Sequence, residues 1–131
     1  MDVPSLAAAV AHEFWLLMGT NDFDQVTRLL ANEFVLDWPQ TKERIRGPEN
    51  FAQFNREYPA HGPWQFTVHR IVGNESEAVS DVTVSDTVIS ARAISFFTVV
   101  NGKVTRIIEY WPEPYQAPSN RGDLTEPLEE D

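Results

Sequence analysis

VVNGKVTRIIEYWPEP, residues 99–114, reads as two β-strands joined by a two-residue turn. Asn101-Gly102 suits a type I′ hairpin, because both central residues of that turn need a positive φ and Asn and Gly tolerate it best. The turn sets the register. With side chains alternating along a strand, Thr105, Ile107, Glu109 and Trp111 share one face, and Val104, Arg106, Ile108 and Tyr110 share the other. Apolar residues stand on both faces, whereas a sheet with one solvated face would alternate cleanly. Both faces are therefore expected to be covered, one of them by helices. Glu109 breaks the pattern as a carboxylate between Ile107 and Trp111.

Before this hairpin, β-forming runs occupy 64–72, 78–84 and 89–100, broken at Gly73-Asn74 and Ser85-Asp86, and the last strand covers 104–111. The first half is helical in pattern. Leu6, Val10, Phe14, Leu17 and Met18 recur at three- and four-residue spacings behind Ser5, a candidate N-cap, and Gly19 ends the run. Phe23, Val26, Leu29 and Leu30 form a second, shorter stripe. Residues 34–38 read as a short strand stopped by Pro39, which points Asp37 and Trp38 in opposite directions. The polar segment 40–46 reads as a flexible connection. Gly47-Pro48-Glu49 opens a third helix carrying Phe51, Phe54 and Tyr58. Helices first and strands afterwards predict an α+β fold, a curved antiparallel sheet with three helices on its concave face.

The chain of 131 residues is read as one domain over 1–114, followed by an extended or disordered acidic tail over 115–131. Asp123, Glu126, Glu129, Glu130 and Asp131 close the tail, and setting them aside halves the net charge of -10. An acidic body with an acidic tail is repelled by nucleic-acid phosphates and anionic membranes, so neither is expected as a partner. The absence of cysteine removes thiolate chemistry and fits a reducing, cytoplasmic compartment. The opening residues have no basic leader region and are too short to span a membrane. His12, His61 and His69 are scattered without ligand spacing, so neither a metal nor another cofactor is expected. There is no phosphate-binding glycine loop and no nucleophile elbow.

The aromatic first helix, the Asp22-Phe23-Asp24 turn, Gly47 opening the third helix and the Asn101-Gly102 to Glu109-Tyr110-Trp111 ending together resemble the nuclear transport factor 2-like superfamily, and within it the SnoaL-like, polyketide cyclase-like domains. The resemblance covers most of the chain and implies a cone-shaped α+β fold. Fold alone does not determine function in such a superfamily. The ketosteroid isomerase pattern is not met, since Phe14 stands where those enzymes carry an oxyanion-binding tyrosine and Trp38 where they carry the aspartate base. Asp37 is one residue off, and on a strand that reverses the face. The epoxide hydrolase pattern is matched better at Glu109, which falls where those proteins have an aspartate before an aromatic pair, with Glu in place of Asp lengthening the side chain by one methylene. It is not met earlier, where Val79 replaces the required arginine two positions before Asp81.

The candidate catalytic residues are thus Glu109, Asp37 and Asp81. Glu109 reads either as a general acid/base on an apolar pocket wall, its pKa raised by desolvation, or as an ion-pair partner of Arg92 or Arg106 or a rim carboxylate. Phe14, Trp15, Trp38, Phe51, Phe54, Tyr58 and Trp111 either line a hydrophobic cavity for a small molecule or simply fill the core. The resemblance implies a cofactor-free isomerase, cyclase or lyase acting on a small hydrophobic molecule. The alternative is a non-catalytic ligand-binding or dimeric interaction module of the same fold. A homodimer through the convex sheet face is expected, because Ile94, Phe96 and Val100 point away from the side that helices can cover.

Overall fold

The computed structural model describes residues 6–129, so Ser5, the candidate N-cap, lies outside the described residues. Three helices precede and flank a six-stranded sheet: α1 (Leu6–Met18), α2 (Phe23–Val26), β1 (Leu30–Trp38), β2 (Glu43–Arg46), α3 (Pro48–Glu57), β3 (Gln65–Gly73), β4 (Glu77–Ser85), β5 (Ser90–Val100) and β6 (Lys103–Tyr110). A short 3-10 turn, Thr27–Leu29, follows α2, and another, Ser119–Leu124, interrupts the tail. No helix among the described residues is long and apolar enough to cross a membrane.

The strands run in the order β2-β1-β6-β5-β4-β3. Every neighbouring pair is antiparallel except β1 and β6, which run parallel and join the two ends of the chain. α1 packs across β3, β4 and β5, while α3 packs on β1 and β2, so the helices share the concave face. The core lies between these layers around Phe14, Phe34, Phe51, Phe97 and Ile107, all nearly inaccessible. Their rings meet edge-on, with Phe14 and Phe97 5.2 Å apart and Phe34 and Phe51 5.6 Å apart between centroids. Aromatic pairs favour such edge contacts because the positive ring edge meets the negative face.

The hairpin at Asn101-Gly102 forms as expected, with φ of 53° and 76° at its two central residues. Gly47, at φ 88°, turns the chain into α3, where a side chain would be strained.

Two local readings are corrected by the structure. Residues 40–46 are not simply a flexible connection, because Glu43–Arg46 folds back on β1 as β2. Lys42 adopts a positive φ of 62° to make that turn. The expected alternation on β6 also slips. A register irregularity between Thr98 and Val99 pairs Thr98 with Arg106 and Val99 with Val104, which puts Val104 in the core on the same side as Ile107 and Glu109. A bulge of this kind adds one residue to one strand and so shifts the facing of everything beyond it.

Candidate functional site

Glu109 sits on the concave face of β6, where its neighbours across the sheet are Ser95 on β5 and, one strand further, Ser80 on β4. All three are buried. Ser95 Oγ donates to Glu109 Oε2 at 2.7 Å. The indole Nε1 groups of Trp38 and Trp111 donate to Oε1 at 3.1 and 3.0 Å. Trp15 Nε1 donates to Ser80 Oγ at 2.9 Å, which satisfies the other serine of the row. A line of polar groups therefore crosses an otherwise apolar floor, and none of its buried side-chain atoms lacks a partner.

This shell dictates where a proton can reside. Two indole N–H groups can only donate, so they keep Oε1 an acceptor. A hydroxyl can donate or accept, so a proton on Oε2 can be received by Ser95 after its hydroxyl rotates. Burial raises the Glu109 pKa above the ordinary carboxylate value, opposed by the three hydrogen bonds from Ser95, Trp38 and Trp111. No cation offsets the charge among the described residues. Arg92 and Arg106, the ion-pair partners considered for Glu109, are engaged on the other face with Asp81 and Asp37.

Asp37 and Asp81 are separated from Glu109 by the sheet itself. Asp37 accepts from Arg44 at 2.6 and 3.0 Å and from Arg106 at 2.7 Å. The Arg44 guanidinium above all holds its pKa down at about 2. Asp81 is gripped by the Arg92 fork, which lowers its pKa as well. Both carboxylates are thus arginine partners on the convex face, and the structure does not bring the three candidate acids together.

The aromatic candidates divide in the same way. Phe14, Trp15 and Phe51 are core, in ring contact with one another through Phe14. Trp38, Phe54 and Tyr58 form an arc at the end of the cone, continued by Trp64, with successive centroids 5.0, 5.4 and 6.1 Å apart. Trp111 closes the arc from the opposite side through their shared bond to Glu109. Phe54 and Tyr58 are substantially exposed, so the arc meets solvent. Two open surface hollows are lined by other residues, one beside α3 by Asp24, Glu49 and Arg56 and one by Arg28 and Lys103.

Several residues that organise this end were not singled out from sequence. Asn21 receives the backbone N–H of Trp64 at 2.7 Å and donates to its carbonyl at 2.9 Å, an amide standing in for a strand partner. Asp86, almost wholly buried, accepts from the backbone N–H groups of Val88, Ile89 and His61 and lies 2.9 Å from His61 Nδ1. The Ile89 and His61 N–H bonds hold its pKa well below the usual carboxylate range. The signal available for Ser80 and Ser95 was parity alone, since both occupy inward positions of apolar strands.

No curated protein matches the chain in sequence. Among solved structures, one from Kribbella flavida, provisionally called a ketosteroid isomerase, superimposes with a TM-score of 0.89 and 30% identity, covering 98% of this chain and 93% of that one. A nuclear transport factor 2-like protein of unknown function from Burkholderia xenovorans gives a TM-score of 0.78 at 24% identity over 95% and 97% of the two chains. An epoxide hydrolase resembling the limonene enzymes, from M. tuberculosis, shares the fold at a TM-score of 0.68 and 20% identity, covering 83% and 84%. The profile of the SnoaL-like domain matches residues 11–107, stopping two residues short of Glu109, and on that match the chain belongs to the SnoaL-like domain family.

Proposed function

We propose that this protein binds a small hydrophobic, partly polar molecule against the aromatic arc and moves a proton on it through Glu109, without a cofactor. The observation that carries the reading is a carboxylate buried at the foot of the arc, with a raised pKa and no counter-ion. Such a group exchanges a proton nearer neutrality than an exposed glutamate does. Catalysis would be an abstraction from carbon beside a carbonyl with return of the proton elsewhere, or loss of water after protonation of a hydroxyl. Ser95 and one indole hold the carboxylate in one orientation through either step. Because Trp38 and Trp111 lie against the carboxylate, the ligand reaches it by displacing one indole and replacing its hydrogen bond.

A second reading, a binding module without chemistry, is favoured by one specific observation. Glu109 already has three donors, and the core beneath it is filled by Phe14, Phe34, Phe51 and Phe97. The two are separated by following α-carbon exchange of β-tetralone and related bicyclic ketones in D2O by NMR, with tryptophan fluorescence reporting binding. Exchange above the buffer rate that falls about 100-fold or more in Glu109→Gln supports the catalytic reading. Quenching without exchange supports the module, and neither signal across the panel refutes the arc as a ligand site.

A further inference from the structure

Two indoles donate to Glu109 Oε1, and they are anchored differently. Trp38 ends β1 inside the sheet. Its backbone pairs with Glu43 of β2, its carbonyl accepts from the Thr41 and Lys42 N–H groups at 3.3 and 2.8 Å, and its ring packs on Phe54 at 5.0 Å. Trp111 lies just beyond the end of β6. The ring contacts of the arc run from Trp38 through Phe54 and Tyr58 to Trp64 and do not include it. Its backbone is held instead by one side chain, Gln40 in the turn between β1 and β2. Gln40 Oε1 accepts from the Trp111 N–H at 2.6 Å, and Gln40 Nε2 donates to the Trp111 carbonyl at 3.4 Å. Gln40 is exposed, as are residues 112–129, and Pro112 has no N–H with which to prolong the sheet. Among the described residues, nothing buried holds Trp111 from its C-terminal side.

We propose that Trp111 is the indole that yields to a ligand, that Gln40 is the latch keeping it closed, and that the incoming ligand must bring a hydrogen-bond donor to Oε1, as an alcohol, a phenol or the enol form of a ketone. This rests on the reading of the arc as a ligand site. Exposed hydrogen bonds such as those of Gln40 trade readily with water and add little net stability, so opening at Trp111 is easier than pulling Trp38 out of the sheet and off Phe54. Once Trp111 has moved, Oε1 keeps only the Trp38 N–H, while Ser95 serves Oε2. The lost bond is charge-assisted and so among the stronger ones. A ketone or ether oxygen would set lone pairs against lone pairs there, whereas a hydroxyl restores the bond. The demand is the same with Glu109 protonated on Oε2, because Trp38 still keeps Oε1 an acceptor. The latch therefore sorts ligands by the group at their inner end.

Hydrogen exchange of the indole N–H groups, followed by NMR on the full chain, tests the latch without a ligand. Trp111 Nε1–H is expected to exchange at least about tenfold faster than Trp38 Nε1–H, and Gln40→Ala to speed Trp111 at least about fivefold further while leaving Trp38 unchanged. Trp38 exchanging as fast as Trp111, or Trp111 indifferent to Gln40→Ala in a variant shown to be folded by circular dichroism, overturns the assignment of Trp111 and Gln40. Calorimetric binding of 2-naphthol and 2-fluoronaphthalene, rings of similar size with and without a donor, tests the demand on the ligand. 2-Naphthol is expected to bind at least about tenfold tighter, and Gln40→Ala to tighten both ligands by a similar factor because the open form is more populated. A merely structural Gln40 would leave both Kd values unchanged or raised, and that result overturns the latch. Equal affinities overturn the donor requirement. Binding of neither compound refutes the arc as a ligand site and the donor requirement with it, while the exchange rates still decide the latch.

Discussion

Replacing Glu109 by Gln is expected to stabilise the protein, and to do so only above the pH at which a free glutamate ionises. The carboxamide keeps an oxygen for the two indole N–H groups and offers Nε2–H to Ser95, whose hydroxyl rotates to accept, so three hydrogen bonds survive. What disappears is a buried negative charge without a cation. The folded pKa of Glu109 is raised, so its contribution to stability is fully present below the ordinary carboxylate value and is lost as pH rises through the folded value. Glu109→Gln should therefore lie within about 0.5 kcal/mol of the parent near pH 4 and exceed it near pH 8 by about 1–3 kcal/mol, the scale of the desolvation penalty of a buried group without full compensation. Urea unfolding at matched pH measures this, and the opposite titrations of Asp37, Asp81 and Asp86 cancel in the difference. A variant less stable by more than about 2 kcal/mol at every pH would refute the reasoning, because the charge would then be holding the site together.

Asp37→Asn removes the shared anion of Arg44 and Arg106 and should cost about 1 kcal/mol near pH 7, modest because both arginines are nearly half exposed. Asp37 is depressed to about 2, so its contribution fades as pH falls from the ordinary carboxylate range through that value, and parent and variant should converge in acid denaturation profiles. Asn21→Ala deletes both bonds to the Trp64 backbone and places a less tolerant residue at φ 61°. It should cost about 1–3 kcal/mol and speed amide exchange at Trp64, read by hydrogen exchange.

Local chemistry made much of this fold legible, and distance hid the rest. The Asn101-Gly102 turn and the Gly47-Pro48 helix start announce themselves because single residues meet a backbone demand there. Glu109 stood out because one carboxylate interrupts an apolar face. β2 did not, since Glu43, Arg44 and Arg46 leave Ile45 as its only apolar residue and an edge strand so short has no period to detect. The bulge at Thr105, opposite Thr98 and Val99, was hidden for a related reason, as Val104 and Val99 are apolar whichever face they take. Trp38 as a donor to Glu109 depends on the parallel pairing of β1 with β6, and no local pattern encodes a partner 71 residues away. The Asp86 loop was legible only as a break between strands, although Asp at such a place commonly caps the N–H groups that follow it.

The parallel seam between β1 and β6 also orders assembly in time. β1 lies between β2 and β6 in the sheet, yet β6 is the last strand made, so until residues 103–110 have left the ribosome β1 has only the short hairpin partner β2. Contacts of such long sequence separation form late because the intervening loop must close first. A nascent chain ending near residue 100 would hold Phe34, Leu36 and Trp38 without the strand that shields them, a state open to chaperones and to mispairing with other chains. The hairpin at Asn101-Gly102 is then more than a turn. By folding β6 onto β5 within microseconds of its release, it supplies the edge on which the earliest strand can dock.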